Sequence, residues 1–339
     1  MRGPKRDQSA RDTDTREEII MKILKYSAVG AVLGAAVIAG QSATAAEVKL
    51  KAAAFLPARA TVAKPFHRWV DEVNKRCAGK VNISVVGPAA IKSLEQWNAL
   101  KSGVVDMHFG PANYYKGTMP EAAVTDVART SVVEQRKNGA WAMLNELYNK
   151  KMNAWYLTYL IDNVRFYVWT KNAGKNGRFD GMRLRSTPIY DEFLKNLGAT
   201  PVRMGPPAVY TGLERGTVDG YGWPDWGIAD FGWQKYTKFQ YGPGFFNAAV
   251  SILVNLDKWK GMTDDQRTCL SDMAKWVEGE WPKWYAAEQK QQEAVIKKAG
   301  IKKVDLGPGF AKKAEDLYWA DLSKRNPEFI GKIRPLLTK

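Results

Sequence analysis

The stretch that decides the fold is VKLKAAAF (48–55), followed by VNISVV (81–86) and VVDMHFG (104–110). Each segment is short, rich in aliphatic residues and bounded by glycine or proline, as is typical of a strand. Between them, residues 63–76 and 94–102 carry apolar side chains at helical spacing. This alternation of strands and helices predicts a parallel sheet with helices packed against it.

A second α/β block follows. Segments 156–161, 165–170 and 181–185 are rich in aromatic and β-branched residues and are expected to be strands. A helix is expected at 188–197, because proline fits the first turn of a helix. Residues 263–299 have a long helical pattern. We therefore expect two α/β lobes, with the chain crossing between them and a long helix in the C-terminal half.

The composition is that of a globular protein with more than one small core. The chain has 339 residues, of which 45% are hydrophobic and 25% charged. Its 13 Trp, 14 Tyr and 12 Phe exclude a disordered chain, because they need burial or a ligand to cover them. Two cysteines, Cys77 and Cys269, are too few for a disulfide-stapled miniprotein. In an oxidising compartment they could form a disulfide, and the alternative is that both remain free thiols.

The N-terminal segment indicates export. A basic MKILK (21–25) precedes a short apolar run (28–39), and SATAA (42–46) places small residues in an A-x-A pattern. This order is typical of a secretory signal peptide. Residues 1–45 are therefore expected to be an upstream extension and a signal peptide cut after Ala45. An uncut membrane anchor is the alternative, but the apolar run is too short for a stable transmembrane helix.

The charge balance is strongly basic. With 51 Lys and Arg against 35 Asp and Glu, the formal net charge is +16, which would suit a nucleic-acid or polyanion binder. Export argues against nucleic acid, and the lysines are scattered in doublets without a long basic stripe, as on a solvated surface. We therefore expect no nucleic-acid partner and expect the ligands to be small anions.

Sequence signatures of catalysis are missing. The chain has no G-x-S-x-G elbow, P-loop, H-E-x-x-H or C-x-x-C. Its two histidines, His67 and His108, leave little room for a histidine-rich metal site or a histidine-dependent triad. We expect neither an enzyme nor a cofactor, with an exported enzyme as the less favoured alternative.

Candidate ligand residues lie near strand ends, where α/β folds bind their ligands. Arg185 ends an expected strand just before the helix expected from Pro188, and its guanidinium can hold a carboxylate through two parallel hydrogen bonds. Arg165 is a second candidate. The alternative is that an arginine here forms a surface or interdomain salt bridge and that the aromatic residues belong to the core. The other candidates are ring side chains: Phe55, His108, Tyr210, Tyr221 and Trp223.

Three further motifs follow in order within about forty residues. They are GMRLRSTP (181–188), LGATPV (197–202) and VYTGLERGTVDG (209–220), preceded by LKSGVVDM (100–107). With these motifs the mature chain resembles the DctP-type solute receptors of TRAP (tripartite ATP-independent periplasmic) transporters. That family reads G-(L/M)-K/R-x-R, L-G-A-x-P-V and E-V-Y-x-A-L-Q-x-G-x-V-D-G at matching spacing, and earlier L-x-x-G-x-(V/I)-D.

The resemblance implies a two-lobed periplasmic-binding-protein (Venus-flytrap) fold. Lobe I would comprise residues 46–162 plus about 251–290, and lobe II residues 163–250 plus about 291–339. The implied partners are the small four-helix and large multi-span membrane subunits of the transporter, with membrane contact only through them. The implied location is the periplasm.

The resemblance also implies how a ligand is held. Arg185 matches the arginine that forms a salt bridge with the ligand carboxylate, and Arg165 matches a second polar ligand position. The implied function is capture of a small organic acid and its delivery to the membrane subunits. A receptor of another importer or of a sensor, with the same fold, is the alternative.

The chain departs from the family pattern at DGYGWP (219–224), where many members read D-G-Q-E-N-P. Trp223 replaces an asparagine that often contacts the ligand. The metal-binding branch has a Glu-Trp pair here and a Gln on an earlier strand, whereas this chain has Gly222 and Arg165 at the other two places, so no bound metal is expected. Trp223 and Tyr221 favour an apolar or aromatic body on the ligand.

Overall fold

The computed structural model describes residues 46–338. The predicted signal peptide lies outside the described residues. The strands, in chain order, are β1 (Val48–Ala54), β2 (Val81–Val86), β3 (Met107–Pro111), β4 (Ala154–Leu160), β5 (Arg165–Thr170), β6 (Arg183–Ser186), β7 (Thr200–Arg203), β8 (Gly220–Pro224), β9 (Phe239–Asn247), β10 (Val250–Asn255) and β11 (Lys302–Asp305).

The first sheet has the order β2-β1-β3-β10-β4. β1 pairs in parallel with β2 and with β3, which confirms the parallel core predicted from the alternating pattern. β10 lies between β3 and β4 and is antiparallel to both. The sheet is therefore mixed, because a strand from much later in the chain completes it.

The second sheet has the order β11-β9-β5-β8-β6-β7. β6 is parallel to β7 and β8, whereas β5 is antiparallel to β8 and β9. The two sheets form the two lobes of a mixed α/β fold, as predicted. The exact lobe boundaries stay a prediction.

The helices surround the sheets. In chain order they are α1 (Lys64–Arg76), α2 (Gln96–Lys101), α3 (Val132–Asn138), α4 (Ala140–Met152), α5 (Asp191–Asn196), α6 (Pro206–Glu214), α7 (Leu256–Gly261), α8 (Asp264–Lys298), α9 (Pro308–Arg325) and α10 (Pro327–Leu337), with 3-10 helices at Ala112–Tyr115, Pro120–Val127 and Trp233–Lys235.

α5 begins later than the sequence indicates. The helix expected from Pro188 starts at Asp191, because Thr187 to Tyr190 form a turn closed by a 2.9 Å hydrogen bond from the Tyr190 N–H to the Thr187 carbonyl. The turn places Thr187 and Tyr190 beside a cavity described below.

α8 is the predicted long helix and contacts both lobes. It begins with a capping box formed by Thr263 and Gln266. Near this end its Met273 carbonyl accepts a 3.0 Å bond from the Trp69 indole of α1. Toward the other end the Gln292 side-chain oxygen accepts a 2.9 Å bond from the Gly227 N–H, which follows β8. The helix therefore connects the two lobes through its own side chains and backbone.

A disulfide joins Cys77 and Cys269, with a Cα–Cα distance of 6.1 Å. It links the C-terminal end of α1 to the N-terminal part of α8. The two cysteines, whose pairing the sequence leaves open, therefore form a disulfide. Within residues 46–338, no helix is long and apolar enough to cross a membrane.

Candidate ligand-binding cavity

A small, partly enclosed cavity is lined by residues that begin, end or follow strands of both sheets, and about 40 Å³ of it is open to the centres of water-sized molecules. The first sheet contributes Phe55, after β1, and Asn113, after β3, while the second contributes Arg185 and Trp223. The cavity therefore lies between the lobes, where the predicted site was expected.

Arg185 is the main cation of this cavity. Its side chain is only 1% exposed, although an arginine is rarely buried without a partner. Its Nε donates to the Met204 carbonyl at 3.1 Å and its Nη1 to the Gly222 carbonyl at 3.0 Å. Nη2 is buried and has no hydrogen-bond partner. The backbone thus fixes the guanidinium through two of its three nitrogen atoms.

Gly222 allows this arrangement because it has no side chain. A Cβ atom there would lie 2.6 Å from Cδ1 of Tyr190, which is too close for any residue but glycine. The Tyr190 ring therefore packs directly on the β8 backbone, beside the carbonyl that holds Arg185. The departure at Gly222 that the sequence shows is thus needed for the shape of this wall.

Aromatic rings form most of the remaining wall. Phe166 and Tyr190 meet edge to face with centroids 5.3 Å apart, and Phe55 and Tyr114 do the same at 5.9 Å. The Trp223 ring lies 5.3 Å from the Arg185 guanidinium, within cation–π range. Burial raises the pKa of the Tyr114 hydroxyl, and the charge of Arg185 and a side-chain hydrogen bond with it oppose this shift.

A polar group lines the cavity from the first lobe. Asp126, on the 3-10 helix Pro120–Val127, is 1% exposed, and its Oδ2 accepts a 2.8 Å bond from the Tyr318 hydroxyl. Burial raises the pKa of Asp126 to about 8, against the opposing effects of Tyr318, Lys116 and Asn113. Its Oδ1 and the Oδ1 of Asn113 are buried without hydrogen-bond partners.

Three of the predicted site residues meet at this cavity: Phe55, Arg185 and Trp223. Arg165 does not line it in the described structure. Its half-buried side chain donates from Nη2 to the Asn163 side-chain oxygen at 3.1 Å.

The other three predicted residues lie away from the cavity lining. Tyr221 is buried, its hydroxyl 2.7 Å from Thr237 Oγ1, and its ring packs 5.0 Å from Trp233, which in turn contacts Trp223. Tyr210 packs on Tyr236 at 5.3 Å.

His108 is fully enclosed in the first lobe. Burial lowers the pKa of its imidazole to about 3, and neither ring nitrogen has a hydrogen-bond partner. Its ring lies over Gly110, where a Cβ atom would approach it to 2.3 Å. The side chain is therefore a neutral core residue in this conformation.

Sequence reasoning missed the polar contribution of the first lobe. Asn113 comes just after β3, so the strand-end rule that singled out Arg185 could have found it. Asp126 lies on an irregular 3-10 segment with no apolar period, and its burial depends on Tyr318, which is 192 positions away. Within the described range 46–338, no group of three or more His, Cys, Asp or Glu side chains could hold a metal ion.

Comparisons with known proteins agree with this architecture. The family model for bacterial extracellular solute-binding protein, family 7 (DctP) matches residues 52–318. A solute-binding protein of Albidiferax ferrireducens is 24% identical over 291 residues, which cover 76% of this chain and 80% of that protein.

Several solved structures share the fold. The Bordetella pertussis extracytoplasmic solute receptor DctP7, which binds pyroglutamic acid, superposes with a TM-score of 0.75 at 17% identity, covering 86% of this chain and 99% of that one. A TRAP solute-binding protein of Bordetella bronchiseptica, with copurified calcium and picolinate, gives 0.75 at 20% identity, covering 86% and 91%. A marine metagenome protein specific for aromatic acids, in complex with metahydroxyphenylacetate, gives 0.71 at 20% identity, covering 86% and 98%.

These likenesses show the two-lobed fold, and the family model spans most of the chain. The chain therefore belongs to bacterial extracellular solute-binding protein family 7, the DctP family of TRAP transporter solute receptors.

Proposed function

We propose that this receptor captures a small organic acid through its carboxylate and delivers it from the periplasm to the membrane subunits of a TRAP transporter. The acid is held in the cavity between the lobes and released unchanged. Export would depend on the signal peptide predicted in residues 1–45. The predicted partners are the small four-helix and large multi-span subunits.

The observation that carries the proposal is the buried Nη2 of Arg185, which makes no hydrogen bond of good geometry within the described protein. A buried donor without a partner costs about 1–3 kcal/mol, and more when it is charged. A ligand carboxylate in the cavity would supply the missing acceptor and balance the buried charge. Two backbone carbonyls already hold the guanidinium, so ligand binding costs little further side-chain entropy at Arg185.

The cavity walls support an acid with an apolar or aromatic body. Phe55, Phe166 and Trp223 offer ring surfaces to such a ligand. Solved relatives hold pyroglutamic acid, picolinate and metahydroxyphenylacetate, each a small acid built on one ring. Arg165 remains a predicted second contact, and an Arg165→Met variant tests it in the same assay.

The test begins with a thermal-shift screen of pyroglutamate, picolinate and 3-hydroxyphenylacetate, because a bound ligand raises the melting temperature by mass action. Titration calorimetry then compares the wild type with Arg185→Met for the acids that bind. A charge-assisted hydrogen bond contributes about 1.5–3 kcal/mol, so we expect affinity to fall about 10- to 100-fold.

Arg178→Met is the matched control. Arg178 is an exposed arginine of the same lobe, paired with Asp180 at 2.6 Å, and it does not line the cavity. Its variant should bind as the wild type does. Near-normal affinity of Arg185→Met would overturn the proposal. Uptake of the bound acid into proteoliposomes that contain the membrane subunits tests delivery.

A further inference from the structure

We infer that Asn113 and Asp126 form a second recognition point in the cavity, which selects acids that carry a hydroxyl or amide group besides their carboxylate. The inference rests on the proposed function, because it concerns the same cavity and assumes that Arg185 holds the carboxylate. It adds a property of the ligand that the carboxylate contact alone does not specify.

The first observation is a pair of unsatisfied oxygens. Asn113 is 3% exposed and Asp126 is 1% exposed, both line the cavity, and the Oδ1 atom of each is buried without a hydrogen-bond partner. Buried polar side-chain atoms in folded proteins nearly always have a partner, so two orphans in one cavity point to a polar group that is supplied from outside the chain.

The second observation is that the rest of the carboxyl is already held in place. The Tyr318 hydroxyl donates to Asp126 Oδ2 at 2.8 Å and the Asn113 side chain interacts with the same carboxyl, whereas Oδ1 has no hydrogen bond of good geometry. Lys116, whose charge lowers the pKa of Asp126, pairs with Asp321 at 2.7 Å and lies 4.0 Å over the Tyr318 ring. Asp126 is therefore oriented by its neighbours without a direct ion pair to Lys116.

The chemistry of the two oxygens is complementary. Since burial raises the pKa of Asp126 to about 8, its carboxyl keeps its proton at neutral pH and can donate from Oδ1. Asn113 Oδ1 can only accept. A donor beside an acceptor matches a hydroxyl or an amide, each of which donates and accepts at once.

Arg185 and Asp126 both act on the hydroxyl of Tyr190. Tyr190 lines the cavity, and burial raises the pKa of its hydroxyl while Arg185 lowers it and Asp126 raises it. Arg185 belongs to the second sheet, whereas Asn113 and Asp126 belong to segments that follow the first sheet's β3. A ligand that reaches both points therefore bonds to both lobes.

The experiment compares matched acids by titration calorimetry at pH 7 and again at pH 9. The pairs are 3-hydroxyphenylacetate with phenylacetate, and pyroglutamate with cyclopentanecarboxylate. In each pair only the first acid carries the second polar group. In at least one pair we expect the wild type to bind the first acid about tenfold or more tightly than the second, because an acid without the second polar group leaves buried protein groups unpaired.

Three variants separate recognition from structure. Asp126→Leu should abolish the preference while phenylacetate still binds. In the wild type the preference should decline above pH 8, because the carboxyl of Asp126 then ionises and can no longer donate. Asp126→Asn keeps a donor of similar shape that does not ionise, so its preference should survive and should not decline above pH 8. Asp225→Asn removes another buried carboxyl, bonded to Gln289 outside the cavity, and should change nothing.

The outcomes distinguish the two proposals. If both acids of every pair bind the wild type equally and Asp126→Leu binds like the wild type, this inference is overturned while the carboxylate receptor stands. If Asp126→Leu does not fold, the pH dependence of Asp126→Asn decides the same question. The inference is overturned if the preference of Asp126→Asn declines above pH 8 as that of the wild type does. Absence of binding by any carboxylate overturns both.

Discussion

The substitution Asp126→Asn should make the free energy of unfolding less dependent on pH. In the folded protein burial raises the pKa of this carboxyl from 3.8 to about 8. A carboxyl with a raised folded pKa binds a proton on folding at any pH between the two values. Its contribution is neutral below the unfolded pKa, becomes more unfavourable as the pH rises, and levels off above about 8.

The magnitude follows from the pKa. Each pH unit in that window costs about 1.4 kcal/mol. From pH 5 to pH 8 the wild type should therefore lose about 4 kcal/mol through Asp126 alone. Asparagine does not titrate, so the stability of Asp126→Asn relative to the wild type should rise by about this amount over the same interval.

Urea unfolding at pH 5, 6, 7 and 8 measures this difference, since the comparison removes the titration of every other group. Asp225→Asn is the control, because burial raises the pKa of Asp225 only to about 6. Its difference from the wild type should rise by about 1 kcal/mol between pH 5 and 6 and then stay level. A difference for Asp126→Asn that stays constant from pH 5 to 8 would refute the reasoning, since Asp126 would then be ionised in the folded protein at neutral pH.

Two further changes test the geometry. Gly222→Ala should reduce binding of the acid found in the thermal-shift screen, as measured by calorimetry, because its Cβ would lie 2.6 Å from the Tyr190 ring, whereas Gly279→Ala, with nothing within 4 Å, should bind normally. Equal affinities would show that the wall adjusts freely. Replacing Cys77 and Cys269 by serine opens a loop with a sequence separation of 192. Urea unfolding should then show a stability loss of up to about 5 kcal/mol by the chain-entropy model, and an unchanged midpoint would contradict this.

The parts of the site that the sequence predicts share one property: their signals are local. Arg185 stands at the end of a strand and directly before a proline-containing turn, and both features are readable within ten residues. Phe55 and Trp223 likewise belong to strand ends. The order of strands and helices is equally local, because each element carries its own periodicity.

The rest depends on distant contacts. The environment of Asp126 is created by Tyr318, and no pattern around residue 126 records that. The insertion of β10 between β3 and β4 is a property of the whole chain, so alternation near residue 250 indicates a strand but not its neighbours. Tyr221 and Trp223 point to the same face of β8, yet only Trp223 reaches the cavity, because Tyr221 packs farther along against Trp233.

The place of β10 in the first sheet governs how the chain can be assembled. β3 and β4 have no hydrogen bonds to each other, and both pair with a strand that leaves the ribosome after β5 to β9. A nascent chain stopped before residue 250 would leave those two edges open to pairing with other chains. The first lobe therefore cannot be cut out as a continuous N-terminal fragment.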